Sequence, residues 1–205
     1  MARHAGTDQD LRSTIRIAAL VLIFMPLLRV QPASAPRPFP QSVADWQTLI
    51  PAIREVLKEV QGVEEHYSIG IRQIADLTGD GVPEALVYLG VGGASTDEMM
   101  LMRIVDGKPV LAIFRQRSGK VSSMTFLRGA SVMHTDTVEL LPKEHAVHSV
   151  HYSFGGLNPD GVQKVHECGG EAYQWNPHTQ TFEYNRRLSN RLTQDYCRKV
   201  REHWR

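Results

Sequence analysis

Apolar residues recur three and four positions apart between residues 42 and 60. Trp46, Leu49, Ile50, Ile53, Leu57 and Val60 fall on one side of a helix there. Pro51 interrupts the stripe. It has no amide hydrogen to donate, so the pattern predicts a kink there or a helix that starts near Thr48. After Gln61-Gly62 the pattern becomes that of strands. Residues 67–75 and 84–88 flank an acidic loop, and residues 99–105 and 109–114 flank Asp106-Gly107, a dipeptide suited to a two-residue hairpin turn. The run Met99-Met100-Leu101-Met102 does not alternate with polar residues, which predicts a strand covered on both faces.

Residues 121–127 and 131–141 continue the strand pattern. Residues 171–175 and 180–184 flank Asn176-Pro177-His178-Thr179, with Tyr173, Trp175, Phe182 and Tyr184 placed as cross-strand neighbours. These aromatics fit sheet packing, with a carbohydrate-stacking platform as the less favoured role. Finally Leu188, Leu192, Tyr196, Val200 and Trp204 lie four apart and predict a C-terminal helix, with Asn190 as a candidate cap. The expected fold is α+β and mainly antiparallel β: a blade-like meander sheet with an N-terminal and a C-terminal helix.

The first 35 residues do not fit that domain. Arg3, Arg12 and Arg16 precede an apolar run over 17–28, and Ala33-Ser34-Ala35 offers small residues where signal peptidase cuts. We expect a signal peptide over 1–35, cleaved after Ala35, then a proline-rich spacer over 36–41 and a single globular domain over 42–205. The apolar run falls short of the roughly 20 residues that span a bilayer, and an uncleaved membrane anchor is the rival expectation. Export places the domain in the periplasm or outside the cell. Without its leader the chain is one acid from neutrality, which gives no reason to expect nucleic acid as a partner.

The most specific chemistry lies in Asp76-Leu77-Thr78-Gly79-Asp80-Gly81-Val82-Pro83-Glu84. Asp76, Thr78, Asp80 and Glu84 stand at positions one, three, five and nine, and Gly81 permits a turn that aims the Val82 carbonyl inward. Alternating oxygen donors of this kind suit a hard cation such as calcium. The stretch resembles the calcium loops of FG-GAP and VCBS-type repeats, in which an acidic loop joins two strands. That resemblance implies a structural calcium ion held by Asp76, Thr78, Asp80, Val82 and Glu84, with modest affinity. Thr78 and Glu84 depart from the family's usual Asp or Asn at those places. An EF-hand is disfavoured, because its twelfth-position glutamate falls on Val87 and the segment that follows reads as a strand. The alternative is a plain turn at Gly79-Asp80-Gly81. The loop occurs once, so a propeller built of repeated blades is not expected.

Cys168 and Cys197 are the two cysteines, and in an oxidising compartment they predict a disulfide between a late strand and the C-terminal helix. His145, His148 and His151 are the best zinc or catalytic candidates. Their neighbours read as a strand, however, which turns His148 away from the other two. No nucleophile elbow, zinc-protease helix or phosphate loop occurs. The reading is therefore an exported, non-catalytic module that binds a protein or glycan ligand or associates with the cell envelope. A secreted or periplasmic metal-dependent hydrolase using the His145/His148/His151 region is the alternative. The basic face of the C-terminal helix (Arg187, Arg191, Arg198, Lys199, Arg201, Arg205) is a candidate contact for an anionic envelope surface.

Overall fold

The computed structural model describes residues 39–62, 67–90, 96–130, 134–157 and 163–204. The expected signal peptide and residues 36–38 of the spacer lie outside these residues.

Two short helices open the fold, α1 (Val43–Thr48) and α2 (Ile50–Gln61). Ser42 and Asp45 cap α1 reciprocally: Ser42 Oγ accepts from the Asp45 amide at 3.1 Å, and Asp45 Oδ2 accepts from the Ser42 amide at 2.9 Å. The break falls at Leu49, so Pro51 sits in the first turn of α2, where its missing N–H costs nothing. Gly62, with φ of 63°, ends α2 in the left-handed conformation. Trp46, Ile53 and Leu57 are fully buried. Val60 is exposed, contrary to its place on the apolar stripe; the buried stripe stops one turn before the helix does.

The described strands make one eleven-stranded sheet. They are β1 (Gly70–Ala75), β2 (Glu84–Tyr88), β3 (Thr96–Val105), β4 (Lys108–Leu111), β5 (Phe114–Arg115), β6 (Val121–Ser122), β7 (Thr125–Ala130), β8 (His134–Leu141), β9 (Ala146–Leu157), β10 (Gln163–Asn176) and β11 (Thr181–Tyr184). All neighbours pair antiparallel except β11 and β5. The run β7 to β11 is the expected meander. Asp106 and Gly107, at φ of 51° and 74°, turn β3 into β4 as a two-residue hairpin requires.

One connection bends this sheet. β4 pairs with β3, and two residues further on β5 pairs with β11, so a single extended segment touches both halves of the strand order. The sheet therefore curls around a shared core that joins Leu86 and Leu101 of one half to Val147, Tyr173 and Phe182 of the other. Phe114 lies centrally there, with its ring 5.3 Å from Phe182 and 5.4 Å from both Phe126 and Tyr173. β3 is covered on both faces, as its sequence demanded. Met99 and Leu101 join the inner core, while Met100 and Met102 meet α1 and α2 through Trp46, Ile53 and Leu57.

The last helix, α3 (Arg186–His203), lies on the outer face of β9 and β10 through Leu188 and Leu192 against Ala146 and Ala172. Its cap is Asn185, whose side chain accepts from the Leu188 amide at 2.9 Å, and Asn190 lies inside the helix. Ser189 Oγ accepts from the Ala172 amide at 2.8 Å and ties the helix to the strand beneath it. Cys168 of β10 and Cys197 of α3 form the disulfide, with Cα atoms 5.8 Å apart. Among the described residues no helix is long and apolar enough to cross a membrane.

Candidate functional site

The acidic loop connects β1 to β2 and is folded by its own carboxylates. Asp76 accepts from the Gly79 amide through Oδ1 at 2.7 Å and from the Gly81 amide through Oδ2 at 3.1 Å. Asp80 Oδ1 accepts from the Val82 amide at 2.8 Å. Gly79 and Gly81 hold φ of 77° and 82°, a conformation that side chains resist. The loop is pinned from outside by Gln41, which donates to the Gly81 carbonyl at 3.1 Å, and by the Trp46 indole, which donates to Pro83 at 3.1 Å. The strand β2 follows the loop, where an EF-hand would continue as a helix.

Glu84 behaves differently from the two aspartates. It heads β2 with 2% of its surface exposed, and its Oε2 accepts from the Leu77 amide at 2.8 Å. Its Oε1 lies 3.6 Å from Arg103 Nε, and the Arg103 guanidinium stacks 4.1 Å from the Trp175 ring centre. Burial pushes the Glu84 carboxyl up to about 7. The Leu77 amide and Arg103 hold it down in part, and the charge of Asp80 pushes it up further. Thr78 Oγ1 is buried and makes no aligned hydrogen bond, yet it faces Glu84 closely enough to favour the ionised carboxylate.

These are hard oxygen donors, and a cation near Thr78 Oγ1 would satisfy an orphaned atom and offset the repulsion between Asp80 and Glu84. The donor set thus fits calcium. Asp76 and Glu84 are nonetheless turned largely onto backbone amides and Arg103. Among the described residues no three His, Cys, Asp or Glu side chains converge into a group that could hold a metal ion.

The three histidines serve three separate places. His145 precedes β9 in a left-handed conformation with φ of 50°, and its Nδ1 lies 3.1 Å from the Leu77 carbonyl oxygen, against the acidic loop. His148 is buried in β9 beneath α3. Its Nδ1 lies 3.8 Å from Glu139 Oε2, and its Nε2 lies 3.3 Å from Thr193 Oγ1. His151 is exposed, with its ring over Gly169. Strand alternation separates His148 from His151, as expected, but His145 is set apart because it lies before the strand rather than in it.

The sequence pattern did not anticipate the outer side of α3. There a cleft of about 480 Å³ opens between the end of the helix and β8–β9, bordered by Glu139, Tyr152, Asp195, Tyr196, Lys199 and Trp204. The neighbouring His148 ring, 3.8 Å away, holds the Glu139 carboxyl below its usual range, against partial burial. Much of the helix's basic charge is met locally. Arg198 pairs with Asp195 and Glu202, Lys199 pairs with Asp195 at 2.8 Å, and Arg191 lies 3.9 Å from Glu144.

No family model matches this chain, and no curated protein or solved structure is significantly similar to it.

Proposed function

We propose that the chain is an exported, non-catalytic binding module of the cell envelope, stabilised by a structural calcium ion in its 76–84 loop and by its disulfide. The observation that carries the metal reading is Thr78 Oγ1, buried without an aligned partner in a loop whose other donors are all oxygens. Asp76, Thr78, Asp80 and the Val82 carbonyl would hold the ion from the loop, and Glu84 would close it from the core. Its role would be to fix the β1–β2 connection. The Cys168–Cys197 bridge is of a kind that persists in oxidising compartments and supports export, which agrees with the leader-like residues 1–35. The binding reading rests on the cleft beside α3 and includes an anionic envelope surface as a partner for the remaining basic residues of that helix.

Calorimetric melting of the oxidised protein tests the metal. Calcium should raise the melting temperature of the wild type over that in chelator and leave Asp80→Ala unmoved. Equal melting of the wild type in both conditions would reduce the loop to a turn. Stoichiometric zinc in the purified protein would instead favour the hydrolase alternative at His145, His148 and His151.

A further inference from the structure

The cleft between α3 and β8–β9 brings aromatic rings and polar side chains together. Its walls carry three aromatic rings. Tyr152 and Tyr196 lie 6.4 Å apart, and Trp204, 37% exposed, stands edge-on to Phe154 at 4.9 Å. One of its polar groups is held in place: His148, 1% exposed, lies 3.3 Å from Thr193 Oγ1 on one side and 3.8 Å from Glu139 Oε2 on the other. Glu139 stands in front of it with its side chain 45% exposed and its carboxyl lowered by that neighbour. Across the cleft Lys199 is bonded to Asp195 at 2.8 Å and lies within electrostatic reach of Glu139.

Lys199 and Arg198, both paired with Asp195, bring two positive charges against the carboxylates of Glu139 and Asp195, so the cleft has no strong preference for an ionic ligand. It offers aromatic rings beside hydrogen-bond acceptors and a donor, in a volume that suits a small molecule. A sugar ring has that character, with one face of C–H bonds and an edge of hydroxyls. Aromatic residues with a polar tip suit such a ligand because one end is apolar and the other wet.

We propose that this cleft binds a neutral sugar ring, either free or as the exposed unit of a glycan. One of the rings Tyr152, Tyr196 and Trp204 would stack on its C–H face. Glu139 and Asp195 would accept from its hydroxyls, Lys199 would donate, and His148 would act as the positioning residue for Glu139. The inference rests on the binding-module reading and supplies its ligand class; it is independent of the metal.

The test is a titration of the oxidised full chain with glucose, galactose and N-acetylglucosamine, then with oligomers of each, followed by tryptophan fluorescence and ligand-detected NMR. Saturable binding is expected, weakened about tenfold or more in Glu139→Ala and in Trp204→Ala. Near-UV circular dichroism and melting confirm that both variants are folded. Binding of the single sugars identifies a free ring as the ligand, and binding of oligomers alone identifies a glycan. No saturable response to any of them overturns the proposal. So does a response undiminished in both variants, because the sugar then sits elsewhere and only the broader binding reading survives. Cleavage of an oligomer that is lost in Glu139→Ala would keep the sugar site and overturn the non-catalytic reading.

Discussion

His145 Nδ1 and the Leu77 carbonyl oxygen lie 3.1 Å apart across 68 residues of sequence, and this contact docks the β8–β9 turn onto the acidic loop. The imidazole rests against Gly79, where an added Cβ would lie 3.2 Å from His145 Cε1. Gly81 has a similar positive φ with nothing near it. Gly81→Ala should therefore show the conformational cost alone, about 1 kcal/mol. Gly79→Ala should cost more, and the excess should vanish in a His145→Ala background. Urea unfolding of the four variants measures this. Equal losses at both glycines would mean that the histidine does not support the loop.

Glu84 gives the protein a pH dependence of definite sign. Its folded pKa of about 7 lies above the ordinary value of 4.5, so its contribution to stability is full below 4.5 and is lost as pH rises through 7. In chelator the wild type should be more stable at pH 5 than at pH 8 through this group, by up to about 3 kcal/mol. The lowered carboxyl of Glu139 works in the opposite sense, with its stability lost as pH falls below 4.5, outside this window. Glu84→Gln mimics the protonated form. It should match the wild type at pH 5 and exceed it at pH 8. A variant with the wild-type slope would clear Glu84 of responsibility.

Local signals were legible where they depend on neighbours in sequence. The Asp106-Gly107 hairpin, the aromatic pairs Tyr173–Tyr184 and Trp175–Phe182, and the doubly covered β3 follow from turn chemistry and alternation. The cap of α3, Asn185, lies five residues before Asn190, the candidate that the apolar stripe suggests. The stripe from Leu188 marks the body of the helix, but its start is set by Asn185 leaving β11, and the Asn185 amide bonds to the Ala172 carbonyl. The curl of the sheet depends on Phe114 reaching Phe182, a distant pairing that no local pattern encodes. Glu84 was read as a loop ligand from its spacing. Its burial opposite Arg103 carried a weaker trace: one carboxylate and one cation, each set against a long apolar run. The cleft beside α3 left no trace, because Glu139, Tyr152 and Tyr196 come from three elements.

The disulfide closes a separation of 29 residues, which in the chain-entropy account stabilises by about 3–4 kcal/mol. Replacing both cysteines with serine should lower stability by an amount of this order. The change should fall chiefly on α3, because Cys197 is buried at its contact with the sheet. Hydrogen exchange should show α3 amides losing more protection than those of β2 and β3, whose loss should only follow the fall in global stability. Uniform loss in both regions would place the helix in the same cooperative unit as the inner core.

Gly170 sets how closely α3 approaches the sheet. A Cβ there would lie 2.6 Å from the Ser149 carbonyl oxygen, 2.9 Å from Thr193 Oγ1 and 2.9 Å from Val150 Cγ2. The first of these is backbone and cannot rotate away, so Gly170→Ala must shift either β9 or the helix, at about 2–3 kcal/mol. At Gly169 the added atom meets only the ring of His151, 3.0 Å away and on an exposed side chain free to move, so Gly169→Ala should cost under about 1 kcal/mol. Displacing Thr193 would also loosen its contact with His148 and, through it, the placement of Glu139. Gly170→Ala should therefore move the imidazole resonances of His148 as well as lower stability, while Gly169→Ala leaves both nearly unchanged. Denaturant unfolding and imidazole NMR of the two variants decide it, and equal costs at the two glycines would show that the helix does not depend on the bare backbone at Gly170.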